Sequence, residues 1–348
     1  MTSTTTKALV TRVSGDMSTM ELAEIPIPKL AQNQVLIRVG SIAQNPTDVQ
    51  SLDSSAFGDG AVLGCDFVGT VEELGNAVSS LKIGDRVAGL IWGGEIPGLG
   101  AYSQYTVADE KICFKVPDQI SSNDAATVSL ATATAWLALF SENCLNISRK
   151  EDNPTPVLVW GGSSSVGAFA IQLARAYSIP VVTVCSPRNF DLCKSLGAIH
   201  VFDYNDEDVV EKIQSVAPNI AHVFDCIGSQ SSSTIASKAV VETGGVLCSV
   251  RPGKQFTDNV ESRVEVVDVL VWTVFLKDHT YKQFTWPASV ADHTLGIELF
   301  QKLPNWLQDG TLQTNTSKVL PGGLSAVPGG FQVHRDGMIS GYKLVYEV

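Results

Sequence analysis

The residues with the clearest chemical meaning form a glycine- and serine-rich turn near the middle of the chain. Residues 161–167 read Gly-Gly-Ser-Ser-Ser-Val-Gly; they follow the apolar run Val157–Trp160 and precede a segment with helical periodicity. At such a strand-to-helix turn, backbone N–H groups and the positive helix end approach a pyrophosphate without obstruction by Cβ atoms. A second apolar run, residues 181–184, completes a βαβ unit. The sequence therefore favours a nucleotide site over a plain turn, with contacts from Ser163, Ser164, Ser165 and Val166.

The end of the second apolar strand distinguishes between the two nicotinamide cofactors. An NAD site places an Asp or Glu there to bind the ribose hydroxyls, whereas a 2′-phosphate needs that acid absent and a cation present. Residues 185–189 read Cys-Ser-Pro-Arg-Asn, so serine replaces the acid and Arg188 offers a planar pair of donors. The alternative is an Arg188 that merely faces solvent. We expect NADPH, with contacts from Ser186, Pro187, Arg188, Asn189 and Tyr204, and Lys194 as a further candidate.

Cysteine and histidine side chains give no sign of a metal site or a disulfide framework. The 7 Cys are widely spaced and lie mostly in apolar runs, and the 5 His form no cluster. We expect buried free thiols and histidines with structural or surface roles. The start of the chain lacks the apolar core of a signal peptide, and no apolar run approaches membrane-spanning length. These features predict a reducing, cytoplasmic location.

Size and charge limit the partners that the chain could have. Its 348 residues exceed what one hydrophobic core usually organises, so we expect two folding units. Lys and Arg number 24 against 36 Asp and Glu, which gives a formal charge of −12. Most of the surface would repel phosphate backbones and anionic lipids, and we expect neither nucleic-acid nor membrane binding.

The pattern of apolar residues predicts a β-rich half followed by an alternating half. Short strands are indicated between Lys7 and Asp109; a capped helix is predicted over 123–140 and a loop over 141–156. Strands and helices then alternate. We predict strands at 157–160, 181–184, 201–202, 222–225 and 245–250, with helices at 191–196, 206–216 and 231–241. This rhythm is typical of a doubly wound parallel sheet that starts near residue 157. A helix near 295–307 and a strand at 343–348 could return to the first domain.

The arrangement resembles the medium-chain dehydrogenase/reductase superfamily over the whole chain. Residues 84–87, Gly-Asp-Arg-Val, and residues 45–48, Asn-Pro-Thr-Asp, carry the resemblance together with the nucleotide fold. It implies an α/β protein with a GroES-like β-rich catalytic domain, 1–125 completed by 290–348, and a Rossmann NADPH-binding domain, 126–289. Zinc alcohol dehydrogenases have a Cys before the Thr-Asp pair and a Gly-His-Glu downstream. Here residues 64–66 read Gly-Cys-Asp, so a catalytic zinc would lack its ligands and we expect a zinc-independent enzyme.

Several runs are similar to one zinc-independent subgroup, the trans-acting enoyl reductases that serve fungal polyketide synthases. The most specific run is Ser-Pro-Arg-Asn-Phe-Asp at 186–191; Val-Phe-Asp-Tyr at 201–204 and Ser-Gly-Tyr-Lys-Leu-Val at 340–345 support it. The resemblance implies hydride transfer from NADPH to the β-carbon of an α,β-unsaturated thioester, followed by protonation of the α-carbon. The implied partner is an acyl carrier of a polyketide synthase, or of a polyketide–peptide hybrid synthase, in secondary metabolism.

The resemblance also implies site residues. The nicotinamide end of the cofactor would be contacted by Thr47, Asp48, Val49, Gln50, Val250, Arg251, Ser340 and Gly341. The substrate would be contacted by Leu130, Ala131, Thr132, Ala133, Thr134, Ala135, Trp136, Trp272, Thr273, Val274, Phe275 and Leu276. Thr134 and Gln50 are the catalytic candidates. Members of the subgroup often have Lys in place of Gln50, and an amide is a weaker donor than an ammonium, so solvent is an equal candidate for the proton source.

Other readings of the same residues stay open. Thr134 could bond the helix carbonyl one turn back, and the aromatic residues after 271 could fill a core or form a dimer face. The chain could be a monomer or a homodimer. A basic patch for the carrier phosphate is expected at Arg12 and Lys29 or at Arg251 and Lys254. The alternative functions are a free-standing quinone or enone reductase and an NADPH-binding protein with a non-redox role.

Overall fold

Strands and helices follow one another closely along the chain. A computed structural model describes residues 4–15, 17–281 and 283–348. The strands are β1 (Thr5–Ser14), β2 (Met17–Pro26), β3 (Gln34–Ala43), β4 (Asp66–Leu74), β5 (Arg86–Leu90), β6 (Tyr105–Asp109), β7 (Cys113–Lys115), β8 (Val157–Trp160), β9 (Val181–Cys185), β10 (His200–Asp203), β11 (His222–Asp225), β12 (Gly245–Ser249), β13 (Val264–Asp268), β14 (His279–Tyr281), β15 (Phe284–Trp286), β16 (Ser317–Val319) and β17 (Lys343–Glu347). The helices are α1 (Pro46–Asp53), α2 (Ser122–Ala125), α3 (Ser129–Phe140), α4 (Ser165–Ala176), α5 (Phe190–Leu196), α6 (Val209–Val216), α7 (Gln230–Lys238), α8 (Val290–Gln308) and α9 (Val327–Arg335).

The first unit contains the residues up to Leu130, together with Thr280–Thr285 and Phe300–Val348. Its main sheet has the strand order β16-β17-β3-β4-β5-β7, and β6 pairs with β3; β1 and β2 form a separate antiparallel hairpin. Alternate residues of β3 enter one core, because side chains along a strand point to opposite faces. The predicted β-rich half is confirmed.

The second unit contains Ala131–His279 and Trp286–Leu299. Its six strands are parallel in the order β10-β9-β8-β11-β12-β13, which confirms the predicted doubly wound sheet. The register pairs Asp225 with both Trp160 and Ser249, so the carboxyl ends of β8, β11 and β12 lie level at one edge of the sheet. Ligands of such folds bind beyond this edge. The sequence predicts boundaries at 125/126 and 289/290, and in the structure the chain passes between the two units at 130/131, 279/280, 285/286 and 299/300.

One predicted helix differs from the structure in a way that matters for the site. The helix expected over 123–140 is wrong as a single element: α2 ends at Ala125, residues 126–128 form turns, and α3 begins at Ser129. The N–H of Leu130 donates to Asp66 Oδ1 at 2.7 Å, and Thr127 Oγ1 donates to the carbonyl of Asp124 at 2.7 Å. Side-chain partners of the backbone thus replace helical hydrogen bonds at the break. Within the described residues, no helix combines the length and apolarity needed to cross a bilayer.

Candidate functional site

The turn between β8 and α4 brings the backbone of two elements unusually close together. A Cβ on Gly162 would lie 2.1 Å from Thr183 Oγ1, and a Cβ on Gly167 would lie 2.3 Å from the carbonyl oxygen of Gly161. Gly161 has φ 88°, which favours glycine. Ser164 is the N-cap of α4, and its Oγ accepts a hydrogen bond from the N–H of Gly167 at 3.0 Å. The turn and the start of α4 are therefore packed closely against each other, which holds the helix N-terminus at the carboxyl end of β8, the place where dinucleotide-binding folds bind a pyrophosphate.

The four residues predicted to contact the pyrophosphate lie together on this turn. Ser163, Ser164, Ser165 and Val166 are all partly exposed. Asn189, which follows β9, donates from Nδ2 to Ser163 Oγ at 3.1 Å. This hydrogen bond joins the loops that follow β8 and β9, so the two loops can form one continuous surface.

The loop after β9 presents a free cation. Ser186, Pro187, Arg188 and Asn189 form a single 3-10 turn, in which Pro187 and Arg188 are exposed. Within residues 4–15, 17–281 and 283–348, the guanidinium of Arg188 makes no hydrogen bond or ion pair. Tyr204, after β10, is also exposed. An unpaired guanidinium at the end of this strand, without an acid beside it, suits a phosphate.

A buried acid that the sequence analysis did not single out organises the loop after β11. Asp225 Oδ1 accepts hydrogen bonds from the N–H groups of Ile227 and Gly228 at 3.0 Å, and Oδ2 accepts from Ser232 and Ser233 at 2.7 Å. The carboxylate therefore fixes the turn into α7. An acid at the end of an apolar strand, followed by paired serines, is the sequence signal that could have identified it.

Arg251, a predicted cofactor contact, braces the loop after β12. Its Nε donates to the carbonyl of Gly228 at 2.8 Å, and its guanidinium lies 5.9 Å from the ring centroid of Phe256. Burial lowers the pKa of Arg251. Its neighbour Val250 is partly exposed, whereas Lys254 is exposed. Part of the hydrogen-bonding capacity of Arg251 is thus used within the protein, and Lys254 is the more accessible cation of this predicted pair.

Arg12, of the other predicted basic pair, already has two anionic neighbours. Its Nε lies 2.9 Å from Glu21 Oε2, and its Nη1 lies 3.7 Å from Asp59 Oδ2. These carboxylates offset the charge that a carrier phosphate would need.

In the first unit, the start of α1 contains a buried carboxylate. Asp48 Oδ2 accepts from the N–H of Asn45 at 2.8 Å and from Tyr102 Oη at 3.0 Å, and Oδ1 accepts from Cys65 Sγ at 3.3 Å. Burial is the main cause that raises the pKa of Asp48, to about 6. The four predicted cofactor contacts in this helix differ in exposure. The side chains of Asp48 and Val49 are buried, whereas Thr47 is partly exposed and Gln50 is exposed.

A second buried carboxylate joins the helix start to the C-terminal strand. Asp66 Oδ2 accepts from Lys343 Nζ at 2.5 Å and from Asn45 Nδ2 at 2.9 Å, and both Asp66 and Lys343 are buried. Ser340 and Gly341, predicted cofactor contacts, are separated from this strand by Tyr342 and are partly exposed; Gly341 has φ 71°. Through Asp66, the start of β17 at Lys343 is therefore held beside Asn45, which precedes α1.

Cys65 is a hydrogen-bond donor in this network. Burial raises its pKa well above the ordinary value for a thiol, so the thiol holds its proton. In the parts of the chain that the structure describes, no three His, Cys, Asp or Glu side chains are grouped in a way that could hold a metal ion.

The pH dependence of stability gives a test of the buried Asp48. Its folded-state pKa is raised from 3.8 to about 6, so the folded protein binds this proton more tightly than the unfolded chain. Stability from this group is complete below the unfolded pKa and is lost as the pH rises through the folded pKa, by about 3 kcal/mol. We expect Asp48→Asn to lack this loss, so that the difference in unfolding free energy, mutant minus native, rises between about pH 4 and pH 6 and then levels off.

Urea unfolding at a series of pH values measures this difference. Asp59→Asn is the matched control, since it makes the same change at an exposed carboxylate of the same unit. A difference curve for Asp48→Asn that stays flat across this interval would show that the carboxyl does not titrate there.

The predicted substrate residues are mostly buried. Those in α3, from Leu130 to Trp136, are all buried, and the indole of Trp136 donates to the carbonyl of Leu295 at 2.9 Å and lies 4.7 Å from the ring of Phe140. Arg149 stacks over the Trp136 ring at 5.1 Å. Trp136 is therefore enclosed by its own unit, and Thr134, with 7% exposure, retains a small accessible surface.

The second predicted substrate segment changes from buried to exposed along its length. Trp272, Thr273 and Val274 are buried in a 3-10 turn, and Thr273 Oγ1 donates to the carbonyl of Leu270 at 2.9 Å. Phe275 is partly exposed and Leu276 is exposed. Of this segment, Phe275 and Leu276 have the side-chain surface that a ligand could contact.

The first unit also contains an aromatic cluster that the sequence analysis missed. The ring centroid of Phe57 lies 5.8 Å from that of Trp92 and 5.7 Å from that of Tyr281. Tyr281 Oη lies 3.4 Å from Ser51 Oγ in α1, next to the exposed Gln50. The cluster assembles from three distant parts of the chain, so only Trp92, before a Gly-Gly turn, carried a local signal.

Comparison with known proteins agrees with this arrangement. Residues 31–118 match the family model "Alcohol dehydrogenase GroES-like domain", and residues 165–271 match the model "Zinc-binding dehydrogenase". The chain is 34% identical to trans-enoyl reductase ACTTS2 of Alternaria alternata, covering 99% of both chains. It is 35% identical to trans-enoyl reductase thnE of Trichoderma harzianum, covering 98% of this chain and 96% of the relative.

A solved structure supports the same fold. The quinone oxidoreductase from Coxiella burnetii superimposes with a TM-score of 0.74 at 24% identity, covering 99% of both chains. At that identity the likeness concerns the fold alone. The two full-length relatives, at more than 30% identity, show the family to which the chain belongs.

Proposed function

The chain belongs to the trans-enoyl reductases of the medium-chain dehydrogenase/reductase superfamily, and from this we propose that it reduces α,β-unsaturated acyl thioesters carried by a polyketide synthase or a polyketide–peptide hybrid synthase. The observation that carries the proposal is the end-to-end similarity to proteins named trans-enoyl reductases. The nucleotide-binding turn between β8 and α4 supports the redox part.

We propose NADPH as the cofactor. The support is the serine at position 186, where an NAD site has an acid, and the exposed, unpaired guanidinium of Arg188 beside it. The close packing at Gly162 and Gly167 sets the N-terminus of α4 where it would bind the pyrophosphate, and the hydrogen bond between Asn189 and Ser163 joins the two loops that would contact the adenosine half. The bound nicotinamide supplies a hydride for the β-carbon of the substrate.

The residues of the chain would then orient the reactants and stabilise charge. Gln50 is exposed on α1, and its amide N–H can donate to an oxygen that gains negative charge after reduction. Thr134 on α3, with 7% exposure, is the second predicted catalytic residue and lies in the second unit among buried neighbours. Neither side chain is a strong acid, so we propose that water delivers the proton to the α-carbon.

Reconstitution with a carrier-bound enoyl thioester tests the function. NADPH absorbance is followed with a carrier-bound enoyl thioester, with a free pantetheine thioester of the same acyl chain, and with a simple quinone. We expect oxidation of NADPH with the thioesters, and faster oxidation with the carrier-bound form. Oxidation with quinones alone would favour a free-standing quinone reductase. Binding of NADPH without oxidation in any arm would favour the non-redox alternative.

Cofactor preference is tested by removing the free cation. Arg188→Ala should raise the Kd for NADPH by about 10- to 100-fold, because a charge-assisted hydrogen bond to the 2′-phosphate is lost. NADH lacks that phosphate, and its Kd should not change. Titration of cofactor binding by nucleotide fluorescence measures both constants.

A matched control separates a local contact from a general loss of positive charge. Lys238→Ala removes an exposed cation on α7, in the same unit, and should leave both affinities unchanged. Equal losses for NADPH and NADH in Arg188→Ala, or equal affinity of the native protein for both, would contradict the assignment of Arg188.

A further inference from the structure

Two cysteines lie in contact directly behind the loop that carries Arg188. Cys185 ends β9, Cys193 lies in α5, and the Sγ of Cys193 donates a hydrogen bond to the Sγ of Cys185 at 3.5 Å. Both thiols are buried, with exposures of 2% and 0%. The seven residues between them include the whole 3-10 turn that faces the proposed 2′-phosphate site.

The contact has the chemistry of an oxidisable dithiol. We propose that Cys185 and Cys193 form a modification site, at which a peroxide converts the pair to a disulfide and thereby weakens cofactor binding. The effect on the cofactor rests on the proposed function; the disulfide itself does not. The proposal assigns a role to residues that take no part in the hydride transfer.

The reaction balances with hydrogen peroxide as the oxidant. The sulfur of Cys185, as thiolate, attacks one peroxide oxygen, the O–O bond breaks, and a sulfenic acid forms with release of hydroxide, which takes up a proton to become water. The sulfur of Cys193 then attacks the sulfenic sulfur, the S–S bond forms and a second water leaves. In total, two thiols lose two protons and two electrons, and one peroxide becomes two waters. The hydrogen bond from Cys193 lowers the pKa of Cys185, which favours it as the attacking thiolate.

The geometry determines which part of the molecule must move. A disulfide bond is about 2 Å long, so the two sulfurs must approach by roughly 1.5 Å. Cys185 is held in the sheet, where β9 lies between β8 and β10. The helix α5 has only 7 residues and is joined to β9 by the single turn at 187–189. The movement therefore falls on α5 and on this turn, which carries Arg188 and the Asn189 contact to Ser163.

Because both thiols are buried, we expect their oxidation by peroxide to be slow. We also expect it to depend on whether the cofactor is bound. Peroxide is small and uncharged, and it reaches the pair when the exposed turn opens. If the disulfide lowers the affinity for NADPH, linkage requires that bound NADPH opposes the disulfide. We therefore expect NADPH to protect both thiols.

The test treats the full-length protein with hydrogen peroxide, traps free thiols by alkylation and maps the cysteine peptides by mass spectrometry. The expected result is a Cys185–Cys193 disulfide that dithiothreitol reverses, less of it with NADPH present, and a Kd for NADPH raised about tenfold. If both thiols remain free after treatment, or if the disulfide forms without a change in affinity, the proposal is overturned.

Cysteine variants identify which thiols are responsible for the peroxide effect. Cys193→Ser removes one partner at nearly constant size, and its NADPH affinity should be insensitive to peroxide; Cys185→Ser gives the same test if the first variant folds poorly. Cys248→Ala is the control, since this buried thiol lies elsewhere in the same unit and its loss should leave the peroxide effect intact. Loss of the effect in Cys248→Ala would assign it to another pair. If the native protein binds no NADPH, the mapped disulfide still decides the chemistry, while the proposed function fails separately.

Discussion

Replacing Lys343 by methionine should destabilise the protein by about 3–5 kcal/mol, because a buried carboxylate loses its only cationic partner among the described residues. Asp66 is 0% exposed and Lys343 3% exposed, so water cannot replace the ammonium. The methionine side chain keeps a similar length and removes the charge. Urea unfolding followed by circular dichroism gives the change in unfolding free energy.

A surface pair and a double variant serve as controls. Arg12→Ala breaks the exposed pair with Glu21, and it should cost less than about 1 kcal/mol. Combining Asp66→Asn with Lys343→Met removes both buried charges, and this double variant should be more stable than Lys343→Met alone. The buried-pair argument fails if Lys343→Met costs no more than Arg12→Ala.

The nucleotide half of the fold could be predicted because its signals are local. The turn at 161–167 lies between a wholly apolar strand and an amphipathic helix, and all the glycines that the close approach requires are within seven residues. The parallel sheet follows from the repeat of strand and helix. Position 186 directly follows β9, so the sequence alone was enough to show that serine replaces the acid there.

The catalytic half could be predicted only in outline, because its buried polar groups pair over long sequence separations. Asp66 and Lys343 are 277 residues apart, and the aromatic cluster of Phe57, Trp92 and Tyr281 also joins distant segments. No periodicity reports such pairs. The break between α2 and α3 has the same origin, since Asp66 also accepts the N–H of Leu130.

The contact between Cys185 and Cys193 could not be predicted from the sequence. Both cysteines lie in apolar positions, and from sequence each is interpreted as a small buried residue. Their spacing matters only because a strand end and the following helix bring positions eight apart together. The fold thus places a redox-sensitive group behind the loop that would select the cofactor.

Gly167→Ala should reduce affinity for NADPH by about 100-fold or more, corresponding to about 2.7 kcal/mol. The added Cβ would lie 2.3 Å from the carbonyl oxygen of Gly161 and 2.8 Å from the Cα of Gly162. These neighbours are backbone atoms, so the clash is relieved only if α4 moves away from the turn, and this movement withdraws the helix N-terminus from the pyrophosphate. The N–H of Gly167, which donates to the capping Oγ of Ser164, would move with the helix.

Gly329→Ala is the matched control for this change. Gly329 lies inside α9, and a Cβ there meets no atom within 4 Å, so NADPH affinity should be unchanged and the helix slightly more stable. Thermal unfolding of Gly167→Ala distinguishes a displaced helix from a protein that does not fold. A folded Gly167→Ala protein that binds NADPH within about threefold of the native affinity, less than 1 kcal/mol, would mean that the close approach of turn and helix is not what binds the cofactor.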